Sequence, residues 1–200
     1  IYVDTGAMYR AVTLYALQEG MISQGNLDAP TLIAALSNIR VAFTADGGVL
    51  LNDVRVDDAI RSVEVSNWVS KVSTIKQVRE QMVGLQRDMG KNKGVVMDGR
   101  DIGTAVFPDA ELKIFMTASD EVRAKRRLNE MLSKGEDITY DEVLKNLKAR
   151  DYIDAHREHH PLTMAEDAIL LDNSEMTVAD QLVWIKNILD KRDNEGIGRS

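Results

Sequence analysis

Short apolar runs alternate with helix-period segments four times along this chain. That alternation constrains the fold more than any other feature, because apolar strands followed by amphipathic helices pack as a parallel sheet covered on its faces. The first unit is "IYV" followed by "TGAMYRAVTLYALQEG", where Met8, Val12, Tyr15 and Ala16 share a face and Gly20 suits the helix end. "GVVMDG" is the second strand, and "LKIFMTAS" the third, leading into "DEVRAKRRLNEMLSKG" with Ser119 as N-cap and Asp120 and Glu121 in the first turn. "AILLDNS" precedes "TVADQLVWIKNILDKR", where Thr177 and Asp180 have the spacing of a capping box. The expected fold is α/β, a three-layer α/β/α parallel-sheet core.

Between the first two units, "VAFTA" and "VLLNDVRV" flank Asp46-Gly47-Gly48, the pattern of a β-hairpin. "VEVSNWVSKVSTIKQVREQMVGLQRDMG" is helical by pattern, with Met82, Leu85 and Met89 at core spacing, and residues 131–161 form a highly charged section ending at Pro161. With 44% hydrophobic and 28% charged residues, 200 residues bury one good core. One domain is expected, with core at 1–25, 93–130 and 162–200, an insert at 26–92 and a mobile cover at 131–161. The net charge of -7 argues against a general nucleic-acid binder, so any anion site must be local. There are no cysteines, and charges interrupt every long apolar run. A soluble, cytoplasmic, membrane-free monomer is expected.

The second strand ends in Asp98-Gly99-Arg100-Asp101, and ligands of open α/β sheets sit outside the carboxyl ends of strands. There, guanidinium binds phosphate through a planar fork and aspartate supports a magnesium shell or accepts hydrogen bonds from a base. The alternative is a turn with a local ion pair. His156, His159 and His160 have no accompanying carboxylate cluster and read as ordinary surface histidines rather than metal ligands.

"DTGAMYR", "DGRDIGTAVFPDAELKIFMTAS" with "RAKRR" following, and "ARDYIDAHREHHPL" together resemble the bacterial cytidylate kinases, nucleoside monophosphate kinases of the P-loop class. The resemblance runs through the whole chain. It implies phosphoryl transfer from ATP, with Mg²⁺, to CMP and dCMP, giving ADP and CDP or dCDP. The 26–92 insert then becomes the monophosphate-binding region and 131–161 the lid. A phosphate loop of the form G-x-x-x-x-G-K-[ST] does not occur: "GLQRDMGKN" has an extra residue between its glycines and lacks the hydroxyl after lysine. The expectation is therefore a kinase whose opening strand, phosphate loop and helix are absent.

The resemblance assigns Thr5 and Arg10 to the acceptor nucleotide, against a plain N-cap threonine and a solvated arginine. It places Ser70 and Arg79 near the pyrimidine. Nine positions apart, those two face opposite sides of an unbroken helix, so the match requires a break near Ser73-Thr74. Arg100 is assigned to the acceptor phosphate, Asp101 to the exocyclic amine of cytosine, and Asp98 to the magnesium shell. Arg150 and Asp154 are assigned to the acceptor sugar and Arg157 to nucleotide contacts on closure, the three being spaced to share a helix face. Arg123 and Arg127 are assigned to the transferring phosphoryl group, against a solvated basic face. Two other functions remain: a sibling kinase for UMP, AMP or GMP, and a non-catalytic monophosphate-binding fragment.

Overall fold

Asp4 makes a strand and a helix meet without a loop. It ends β1 (Tyr2–Asp4) in extended backbone and its Oδ1 accepts from the Ala7 amide at 2.9 Å, capping α1 (Thr5–Gln18). The N-cap, the alternative role for Thr5, therefore belongs to Asp4. The helix closes at Gly20, whose φ of 69° lies in the left-handed region; Gly20 N–H bonds the Leu17 carbonyl and Met21 N–H the Ala16 carbonyl. This is a Schellman close, and it favours glycine at that position. The computed structural model describes residues 1–194, the side chain of Asp193 excepted.

The chain divides into two compact units, Ile1–Phe107 with Arg150–Thr163, and Pro108–Ala149 with Met164 onward. In the first, β1 pairs in parallel with β7, Asp4 standing opposite Asp98. The intervening elements are a small hairpin, β2 (Ile22–Ser23) and β3 (Asn26–Leu27), α2 (Ala29–Ala35), an antiparallel sheet of β4 (Val41–Phe43), β5 (Val49–Leu51) and β6 (Val54–Arg55), then α3 (Val63–Val72) and α4 (Lys76–Gly90) before β7 (Val96–Asp98). Three strands form where the sequence pattern suggests two, because "VLLNDVRV" reverses at Asn52 and Asp53, with φ of 48° and 68°. Two successive left-handed residues make the tight turn that matches strand twist.

The helical pattern of 63–90 is interrupted where the Ser70 and Arg79 assignment needs it to be. Ser73 Oγ donates to the Ser70 carbonyl and Thr74 Oγ1 to the Lys71 carbonyl, each at 2.8 Å, so hydroxyls occupy acceptors near the end of α3. The core of this unit centres on α1, with Ala7, Met8, Ala11, Val12 and Ala16 fully buried against Val65, Val72, Val78 and Met82. Alanines on α1 let neighbouring backbones come close, and Met8 fills the space left.

In the second unit, β8 (Ile114–Thr117) pairs in parallel with β9 (Ile169–Asp172). Ser119 caps α5 (Asp120–Ser133) through the Val122 amide at 3.3 Å. At α7 (Val178–Asn194), Asp180 N–H donates to Thr177 Oγ1 at 3.2 Å and Thr177 N–H to Asp180 Oδ2 at 2.9 Å, the reciprocal capping box read from the sequence. Ala124, Met131 and Val143 form a smaller core between α5 and α6 (Tyr140–His156), and the last turns of α6 belong to the first unit. Parallel strand pairs flanked by helices give the α/β fold of a P-loop-kinase-type core.

Met8→Ala is expected to lower the unfolding free energy by about 2–5 kcal/mol, the range for emptying a buried site of this size. Urea denaturation should show a lower midpoint at unchanged slope.

Candidate active site

A single buried carboxylate gathers the site in the first unit. Asp101 follows β7 by three residues and is only 5% exposed. Arg79 from α4 donates to its Oδ2 through Nη2, and Arg157 Nη2 stands 3.6 Å from its Oδ1. Both arginines are buried, and a buried guanidinium needs a counter-charge because it cannot deprotonate. Burial, and then the neighbouring Arg79 charge, push the Arg157 guanidinium below its ordinary value.

The cluster continues through Asp154 of α6, also buried. Arg157 Nη1 lies 3.6 Å from its Oδ1, and Arg100 donates Nε to its Oδ2 at 2.9 Å. Arg79, Asp101, Arg157, Asp154 and Arg100 thus form one chain of ion pairs drawn from α4, the strand-end loop and the end of α6 with the turn after it. Three guanidiniums face two carboxylates, leaving one positive charge. Arg157 Nη2 and Tyr9 Oη are buried without a hydrogen-bond partner among the described atoms. Tyr9 lies beneath Arg79, 5.5 Å from ring centre to guanidinium, and desolvation pushes its phenol up to about 12.

Local structure explains how each side chain arrives. The break between α3 and α4 exposes the Ser73 carbonyl, which accepts from Arg79 Nη1 at 3.3 Å, and Ser73 Oγ binds the Ser70 carbonyl. Ser70 and Arg79 are thereby linked through Ser73. After Asp101 the chain enters a π-helical turn, Ile102–Val106, whose Ala105 amide donates to the Asp101 carbonyl at 2.9 Å. Such wide turns recur where a side chain must be re-aimed. Half-buried Arg150 lies one turn before Asp154 on α6.

A second electrostatic feature sits at the ends of β1 and β7. Asp4 and Asp98 are register partners, and Arg10 donates to Asp4 Oδ2 at 2.6 Å. Tyr2 donates its hydroxyl to Asp98 at 3.0 Å, and Thr5 Oγ1 donates to the Asp98 carbonyl at 2.6 Å. Desolvation by packed neighbours, then the Asp4 charge, raises the Asp98 carboxyl above the usual carboxylate range. Arg123 and Arg127 belong to the second unit, on α5, where Asp120 and Glu130 hold them.

A protein-family model described as cytidylate kinase matches residues 1–191. The chain belongs to the cytidylate kinase family. Similar curated proteins are the cytidylate kinases of Phocaeicola vulgatus, 53% identical over 92% of this chain and 83% of that one, and of Flavobacterium psychrophilum, 52% identical over 97% and 87%. That of Bacteroides thetaiotaomicron is 50% identical over 96% and 86%. The family match runs from residue 1 to 191 and the chain spans 83–87% of these three relatives' lengths, so the absence of the G-x-x-x-x-G-K-[ST] string does not take the chain out of the family. The lack of one short string does not measure which segments a cytidylate kinase carries, and "GLQRDMGKN" itself falls on α4 and its end.

Among the described residues no group of three or more histidines, cysteines, aspartates or glutamates could hold a metal ion. His160 nevertheless departs from an ordinary surface histidine, since its Nδ1 lies 3.7 Å from Asp101 Oδ2. Asp4, Tyr9, Ser73 and His160 were not legible as site residues. Asp4 and Tyr9 lie inside "DTGAMYR", where the pairing of Asp4 with Asp98 depends on strand register.

Asp101→Asn should destabilise the chain by about 3–5 kcal/mol, since it strands two buried guanidiniums. Chemical denaturation measures this, and a loss near zero would refute the central role of that carboxylate. For Asp98 the sign is opposite. A carboxyl raised in the folded state favours folding below its unfolded value of about 3.8, and that contribution is lost as pH rises through the folded value. Asp98→Asn should therefore gain thermal stability over the natural chain as pH climbs from below 3.8 to neutrality.

Proposed function

We propose that the ion-pair chain around Asp101 is the acceptor site of a (d)CMP kinase, which moves the γ-phosphoryl group of ATP to CMP or dCMP and releases ADP and CDP or dCDP. One observation carries this reading: a buried, net-positive cluster keeps a guanidinium nitrogen, Arg157 Nη2, without a hydrogen-bond partner among the described residues and ends in a half-exposed arginine. Buried polar groups are normally satisfied, so orphans converging on one place point to a ligand's oxygens and nitrogens. Among the described residues Arg100 is held through Nε, which leaves its Nη edge for a phosphate.

The acceptor phosphate dianion is itself the nucleophile, so no side chain needs activating. The protein's work is to align, neutralise and exclude water. Arg100 grips the acceptor phosphate, with Arg10 near its sugar-phosphate end. Asp101 accepts from the cytosine amine, a contact denied to uracil, which presents a carbonyl there. Ser70 and Arg79 bound the pyrimidine, with Thr5 at the nucleotide's edge. Arg150 and Asp154 take the sugar and Arg157 closes over the nucleotide.

Magnesium accompanying ATP supplies charge neutralisation to the donor phosphates. Asp98 would hold part of its shell, with Asp4 its register partner on the neighbouring strand. Two carboxylates suit an ion that keeps most of its waters. No described helix is long and apolar enough to cross a membrane. We place the enzyme in the cytoplasm as a monomer.

Arg100→Ala should reduce turnover of CMP about 10²–10³-fold, the usual cost of removing one charge-stabilising donor. The fold should survive, because the side chain is 47% exposed and Asp154 keeps Arg157. Assaying CMP, UMP, AMP and GMP as acceptors tests the substrate. Preference for any but CMP would assign the scaffold to a sibling kinase.

A further inference from the structure

His160 lies just past α6 and adopts a φ of 50°, a conformation uncommon outside glycine. Two contacts accompany this strained backbone. The His160 carbonyl accepts from Arg157 Nε at 2.7 Å, and the ring Nδ1 stands 3.7 Å from Asp101 Oδ2. The following turn is tied back to α6 by the Leu162 amide, which donates to the Asp154 carbonyl at 2.7 Å. The side chain is 47% exposed while Asp101 is buried, so the imidazole lies at the solvent margin of the carboxylate.

We infer that His160 is a positioning residue for nucleobase selection: its ring steers the Asp101 carboxylate toward the base amine, while its main chain orients Arg157. This rests on the proposed acceptor site. Around Asp101, Arg79 and Arg157 fix the buried side of the carboxylate, Tyr9 lies beneath Arg79, and Asp154 balances Arg157. His160 is the polar group on the open side. Without the ring, Oδ2 keeps only Arg79 of its neighbours Arg79 and His160, and the carboxylate loses the group that sets its tilt on the solvent side, so it is less well aimed at a base. An amine donor feels that loss. A base with a carbonyl in the same place gains nothing from Asp101 in either case, so selectivity changes and not merely affinity.

The left-handed backbone makes the test clean. His160→Gly accepts φ 50° and keeps the carbonyl bond to Arg157 while deleting the ring. His160→Asn also tolerates that region and puts an amide donor near the Nδ1 position. The full chain is titrated calorimetrically with CMP and UMP, with thermal melting as the folding control. The expected result is that His160→Gly weakens CMP binding about tenfold, the scale of losing one polar contact to a charged group, with UMP binding and melting unchanged. His160→Asn should restore most of the CMP preference. An unchanged CMP-to-UMP ratio in the glycine variant overturns the inference, as does equal weakening of both nucleotides or an asparagine variant that behaves like glycine. If the unaltered chain does not bind CMP, the acceptor-site reading fails with it; if it prefers CMP and the glycine variant does too, only the role of His160 fails.

Discussion

The structure of the first unit depends on the Asp101 carboxylate. Two guanidiniums from segments far apart in sequence are buried in one place, and neither can shed its charge. A carboxylate between them turns like-charge repulsion into a chain of attractions, and Asp154 repeats the device one step outward. Replacing such a network with hydrophobic residues would often stabilise a protein. Its presence beside orphaned donors therefore argues for a site, where stability is traded for a polar surface that fits a ligand.

Much of the surrounding backbone serves that cluster. The interruption between α3 and α4 supplies a carbonyl to Arg79, the π-helical turn follows directly on Asp101, and the left-handed residue at 160 gives its carbonyl to Arg157. Each departs from regular structure, and two of the departures give a main-chain carbonyl to a buried guanidinium, Ser73 to Arg79 and His160 to Arg157. Strain concentrated at such points is what a preorganised site requires.

The α/β class was legible because it rests on period: four apolar runs each mark a strand, and caps such as Ser119 and Thr177-Asp180 are local signals. The interruption near Ser73-Thr74 was legible for a different reason, since two required residues could not share a face of one helix. What escaped notice was non-local or conformational. The pairing of Asp4 with Asp98 exists only through strand register, and the third antiparallel strand only through left-handed φ at Asn52 and Asp53. His160 was invisible because no spacing rule tells which of three neighbouring histidines will meet a buried aspartate.

"DGRD" places two opposite electrostatic demands within four residues of one strand end. Asp98, the register partner of Asp4, puts a second carboxylate at the strand ends, whereas Arg100 belongs to a cluster with a surplus positive charge. Gly99 separates them. A Cβ there would run into Thr5 Oγ1 and lie 2.9 Å from Ile102 Cγ1, while Thr5 Oγ1 is the group bonded to the Asp98 carbonyl. The glycine thus lets the first helix close directly on the strand-end loop, and in the proposed acceptor site that closeness would let one loop face a cation with Asp98 and a phosphate with Arg100. Phosphoryl transfer between two anions needs both fields near each other, and the short spacing of this motif is the chemical consequence.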